Sequence, residues 1–233
     1  KLFQIKMGCL ALLYILYILF DIINGQSIYV DASASYPYYG TSTQPFKTIQ
    51  DGIDFAVLNR FDTVIVRDGT YNPASTITIA SSENLKYIIS ENGSSKTIIK
   101  QYGFDVKPQS NKQTITIQGF TIQITGNYGS TVGVQIETAT TIIDTHISLN
   151  CQCSTLYGIR IGLYLYDINI IDTTIYVGHG SSNTYAIYAN GNSGYNNNQF
   201  NFVMKNVNIS GSIMYVSYYY NININGCSLK NVI

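Results

Sequence analysis

The sequence predicts an all-β fold, a right-handed single-stranded parallel β-helix with an N-terminal capping helix. Three observations predict it: a β-rich composition, a six-residue motif that recurs five times, and a second series of short strands that keeps step with that motif.

Charged residues make up 11% of the 233 residues, against about 25% in an average globular protein. Tyr, Asn, Thr, Ser and Ile fill the difference, a mix of β-branched, aromatic and turn-forming types suited to a pleated surface. With 45% hydrophobic residues the chain has ample core material and is not a disordered composition. Formal net charge is zero and no basic cluster stands out. Nucleic-acid binding by phosphate neutralisation therefore has no electrostatic basis.

The motif is the second observation. Ile117–Ile122, Ile142–Ile147, Ile170–Ile175, Met204–Ile209 and Ile224–Leu229 align without gaps, starting 25, 28, 34 and 20 residues apart. A fixed motif at a loose period describes structural coils joined by loops of varied length. The first and last columns are apolar in every copy. The third holds only Gly119, Asp144, Asp172, Asn206 and Gly226, the residue types that accept the left-handed αL conformation. The fourth holds Phe120, Thr145, Thr173, Val207 and Cys227, expected to point inward. Each copy reads strand, one-residue bend, strand.

The third observation is the series Val134–Ile136, Ile159–Ile161, Ile187–Ala189 and Tyr215–Ser217, alternating inward and outward at spacings of 25, 28 and 28. Three strands per coil, each hydrogen-bonded to its counterpart in the next, make a parallel β-helix. Crossover helices between parallel strands would need helical patterns that these short polar connections lack.

Upstream, residues 26–75 read as the cap and first strands and residues 76–233 as the coils. Ile49, Ile53, Ala56 and Val57 fall on one helix face, and Thr48 with Asp51 makes a capping-box-like start. A helix here is expected to cover the open edge of the first coil. At the other end no polar capping element follows Cys227–Ile233, so the solenoid is expected to be truncated or continued.

Residues 1–25 read as a signal peptide. Lys1 and Lys6 precede an apolar run from Met7 to Phe20 that is shorter than the roughly 20 residues a membrane span needs. Met7 suggests that the first six residues precede the true start. Cleavage after Gly25 would give an extracellular chain; an uncleaved leader would give a cell-surface anchor, and no second span follows. In that compartment Cys151, Cys153 and Cys227 leave an odd thiol. Cys151 and Cys153 stand too close in sequence for an ordinary loop-closing bridge. Asn92 and Asn208 begin N-glycosylation sequons.

The run Phe46–Ile53 (FKTIQDGI), followed by Asp62–Tyr71 (DTVIVRDGTY), resembles the opening of the pectin-lyase-like superfamily, and the bend motif resembles its coil repeats. The resemblance spans roughly Ser27–Ile233 and implies the right-handed β-helix, in a superfamily of lyases, hydrolases, esterases, adhesins and structural proteins.

Catalytic sets are incomplete. Gly69–Pro73 is similar to the entry motif of pectin methylesterases, but Pro73 stands where an acid is expected and the later motifs have no counterpart. Gly178-His179-Gly180 resembles the histidine motif of polygalacturonases without the aspartate cluster that glycoside cleavage needs. Asp144 and Asp172 share the bend column, whose αL requirement explains them better than catalysis does. No catalytic or metal residue is assigned, and neither is a cofactor; Ca²⁺ enters only if the protein is a lyase.

The leading-strand series supplies the candidate binding face. Gln135, Glu137, Arg160 and Tyr188 are expected outward, with Tyr157 and Tyr185 at equivalent positions of neighbouring coils. Tyrosine offers an apolar body and a hydroxyl, and the resemblance implies a carbohydrate groove on such a face. The expected function is a binding or structural module, with polysaccharide as the partner. The alternative is a polysaccharide-degrading enzyme, pectate lyase, polygalacturonase or pectinesterase-like, with coils missing from the chain.

Overall fold

The computed structural model describes residues 27–80, 82, 84–108, 113–126, 130–162, 166–178, 183–190, 200–211, 213–217 and 221–230. Residues 1–25, for which the sequence predicts a signal peptide, and His179 lie outside them.

In chain order the elements are β1 (Ser27–Val30), α1 (Ile49–Asn59), β2 (Thr63–Val66), β3 (Gly69–Tyr71), β4 (Ile77–Ile79), β5 (Tyr87–Ser90), β6 (Thr97–Lys100) and β7 (Phe104–Val106). There follow β8 (Ile115–Gln118), β9 (Thr121–Gly126), β10 (Ser130–Ile136), β11 (Thr140–Ile143), β12 (His146–Cys151), β13 (Thr155–Ile161) and β14 (Ile168–Ile171). The last are β15 (Thr174–Val177), β16 (Asn183–Asn190), β17 (Asn201–Lys205), β18 (Asn208–Ser210), β19 (Ile213–Ser217), β20 (Asn221–Asn225) and β21 (Ser228–Lys230).

β1 pairs in parallel with β2, and from β2 onward every third strand pairs in parallel with its counterpart in the next coil, which makes the chain a parallel β-solenoid. Sheet A stacks β1, β2, β5, β8, β11, β14, β17 and β20; sheet B runs from β3 to β21 in seven strands; sheet C runs from β4 to β19 in six. The inward columns are those the motif gives. Ile117, Ile142, Ile170, Met204 and Ile224 stand in register along sheet A. Ile122, Ile147, Ile175, Ile209 and Leu229 do so along sheet B. In the last coil Ile222, Ile224 and Leu229 are 43–48% exposed, because no further strand of the described residues covers them.

Between sheets A and B the chain turns on one residue per coil. Gly119, Asp144, Asp172, Asn206 and Gly226 all have positive φ, from 44° to 81°. The fourth column follows the bend inward, and its polar members share one solution. Thr145 Oγ1, Thr173 Oγ1 and Cys227 Sγ each donate to the carbonyl two residues earlier, at 2.9, 2.8 and 3.5 Å, so a polar atom turned toward the core keeps a partner.

Helix α1 begins as expected. Thr48 Oγ1 accepts from the Asp51 N–H at 3.1 Å, and Arg60 at φ 64° ends the helix. Its buried face is Ile49, Gly52, Ile53 and Ala56, with Val57 only half-buried. Gly52 lets the helix approach β1: a Cβ there would stand 2.5 Å from Val30 Cγ2. Gln50 reaches β4, the first strand of sheet C. Its Oε1 accepts from the Thr78 N–H at 2.8 Å and its Nε2 donates to the Thr78 carbonyl at 3.0 Å. One side-chain amide thus satisfies a donor and an acceptor that an edge strand leaves open.

Two readings are corrected. Cys151 and Cys153 form a disulfide, with Cα atoms 5.6 Å apart. Cys151 ends β12, both side chains turn into the core, and Cys227 is the free thiol among the described residues. Secondly, Tyr215 stands beside Tyr188, not Ile187. The register shifts between Tyr185 and Ile187, and a one-residue shift exchanges inward for outward positions.

Candidate functional site

Sheet C carries the longest strands, and each is bent by an extra inward residue. In β10, β13 and β16 two consecutive residues are buried, Gly133-Val134, Gly158-Ile159 and Ala186-Ile187. The small residue of each pair sits against the next coil. A Cβ on Gly133 would lie 2.6 Å from the Gly158 carbonyl oxygen and 2.8 Å from Ile147 Cγ2; one on Gly158 would lie 2.5 Å from the Ala186 carbonyl oxygen and 2.6 Å from Ile175 Cγ2. This kink, shared by β10, β13 and β16 with no change of register between them, makes residues three apart, not two, the outward pair of each strand.

Two outward rows result. One runs Thr78, Asp105, Gln135, Arg160, Tyr188, Tyr215 across six strands. The other runs Val132, Tyr157, Tyr185. The bend draws the rows together: the rings of Tyr157 and Tyr188 are 5.4 Å apart and edge-on, and the Arg160 guanidinium lies 5.2 Å from the Tyr157 ring centre.

The six expected residues divide into two groups. Gln135, Glu137 and Arg160 line a groove of about 580 Å³ together with Asp105, Lys107 and Gly162. Tyr157, Tyr185 and Tyr188 stand beyond Arg160, joined by Tyr215. Tyr157 stacks on Tyr185 at 5.4 Å, and Tyr188 on Tyr215 at 5.3 Å. These tyrosines cover one another's faces.

Asp105 and Lys107 escape the sequence reading. Lys107 Nζ lies 2.9 Å from Asp105 Oδ2 and 3.8 Å from Glu137 Oε2. The hydrogen bond to Asp105 raises the Lys107 pKa above its ordinary value; burial opposes this, and the charges of Asp105 and Glu137 add to it. Asp105 Oδ1 is shielded from solvent and has no hydrogen-bond partner among the described residues. The alternation that marks Val134-Gln135-Ile136 is present 30 residues earlier in Phe104-Asp105-Val106, so extending the strand series backwards would have found it.

Other motif residues have structural roles. Tyr71, within the esterase-like stretch, is buried, and its hydroxyl donates to the Arg67 carbonyl at 2.9 Å and accepts from the Ala32 N–H at 3.2 Å. Burial raises its pKa far above the ordinary phenol value. Asp144 and Asp172 are served by different donors. Asp144 reaches past Gly119 to Ser94, whose hydroxyl donates to Oδ1 at 2.9 Å; Asp172 Oδ1 accepts from Asn206 Nδ2 at 2.8 Å. Among the described residues no three His, Cys, Asp or Glu side chains form a metal-binding group, and no helix is long and apolar enough to cross a membrane.

Compared with family models, with curated proteins and with solved structures, the chain matches none. What is shown of its kinship is therefore its architecture, a parallel β-solenoid.

Proposed function

We propose that the protein is a secreted or cell-surface binding module of the pectin-lyase-like kind, right-handed and capped by α1, that holds polysaccharide along the outer face of sheet C. The observation that carries this reading is the groove itself: hydrogen-bonding side chains from successive coils, Asp105, Gln135, Glu137 and Arg160, converge beside the stacked tyrosines Tyr157, Tyr185, Tyr188 and Tyr215. A few convergent polar groups with aromatic surface are the usual signature of a small-ligand or sugar site. Right-handedness rests on the general rule for parallel crossovers. The Cys151–Cys153 disulfide supports an oxidising compartment.

The test is direct binding of the protein to a panel of neutral and acidic plant, fungal and bacterial glycans. Binding that falls at least tenfold in Tyr188→Ala and Gln135→Ala, with unchanged thermal unfolding, supports the reading. No binding to any glycan sinks it.

Asp105 favours a second reading, a lyase or hydrolase, because it adds a second carboxylate to the groove that Glu137 and Arg160 also line. Cleavage of polygalacturonate or a related glycan, assayed with and without Ca²⁺, would establish that reading in place of a non-catalytic module.

A further inference from the structure

We infer that Asn92 is a site of N-linked glycosylation, on the corner between sheets A and B and away from the sheet C groove; this rests on the secreted reading above. Asn92 opens the sequence Asn92-Gly93-Ser94 and is exposed on the turn between β5 and β6. Its neighbour Gly93 takes φ 86°, which turns the chain sharply there, in keeping with the surface position a bulky solvated glycan requires.

The side-chain contacts fit the modification. Asn92 Nδ2 donates to Asp68 Oδ1 at 3.0 Å. In the transfer Nδ2 attacks the anomeric carbon of a polyprenyl diphosphate-linked oligosaccharide; the new C–N bond replaces the C–O bond to the diphosphate, which departs on its lipid. One amide hydrogen goes to a base of the transferase and one stays on Nδ2. Nδ2 thus keeps one N–H as a donor.

Asn208, in the second sequon, differs in placement. It lies within sheet B, paired with Thr174 on one side and Ser228 on the other, so a glycan there would spread over the neighbouring rows. Asn208 is exposed as well, but on a paired strand; it is the turn that makes Asn92 the preferred site.

The full chain would be secreted from a eukaryotic host, and peptides spanning positions 92 and 208 mapped by mass spectrometry before and after enzymatic deglycosylation. The expected result is an oligosaccharide mass on the Asn92 peptide, lost in Asn92→Gln and retained in Ser94→Thr. Secreted protein with Asn92 unmodified, or modified at Asn208 alone, overturns the inference while leaving the secreted reading intact. Protein that never enters the secretory route overturns both.

Discussion

The corner between sheets A and B and the outer face of sheet C are built by opposite rules. At the corner every coil from Gly119 to Gly226 turns on a single residue of positive φ, and the flanking columns stay apolar in register. On sheet C the outward residue changes from Thr78 to Asp105, Gln135, Arg160 and Tyr188 as the coils climb. The first region meets a backbone and packing demand that repeats with each coil. The second is under no such demand, so its side chains are free to differ from coil to coil.

The hidden side of sheet C is not free, and it gives the largest expected effect. Gly158→Ala places a methyl against the Ala186 carbonyl and Ile175 and should lower stability by about 1–3 kcal/mol, with Gly158→Val lowering it further. Urea denaturation measures this. A neutral Gly158→Ala would show that the kink relaxes readily and that the outer rows are not fixed by it.

At the corner, Asp172→Ala should lower stability by about 1–2 kcal/mol through the αL penalty, with loss of the Asn206 bond adding to it. Asp172→Gly should recover the backbone part. If Ala and Gly variants unfold alike, positive φ is not what selects this column.

Gln50→Ala removes both hydrogen bonds to Thr78 and should lower stability by about 1 kcal/mol or slightly more. Its second readout is concentration-dependent association, measured by light scattering, as the edge of β4 opens.

The smallest effect is electrostatic. Burial works against ionising Asp31, but hydrogen bonds from Ser33 and the Arg67 charge outweigh it and hold its pKa below the usual carboxylate value. A lowered folded pKa contributes stability above the unfolded value near 3.8 that is lost as pH falls through the folded one. Asp31→Asn should therefore flatten the acid limb of a stability–pH curve and leave a slight loss at neutral pH.

Much of the fold was legible because it repeats. The motif columns, the five bends, the helix start at Thr48 and the strands of sheet C each follow from residue types at fixed spacing. The candidate face was legible in membership and less so in arrangement. Gln135, Glu137 and Arg160 share a groove, but Asp105 and Lys107 belong with them, and Tyr215 joins the tyrosines through a register shift that no alternation pattern marks.

The sequence by itself determined the solenoid. Inward columns and αL positions are selected residue by residue, and each copy carries the same constraint. Only the tertiary structure decided which outward side chains meet. That depends on the kinks at Gly133, Gly158 and Ala186, which bring residues three apart onto one face, and on contacts between strands 25 to 30 residues distant. It also decided that Cys151 and Cys153 bridge, because the chain turns just after β12 and directs both sulfurs into the core.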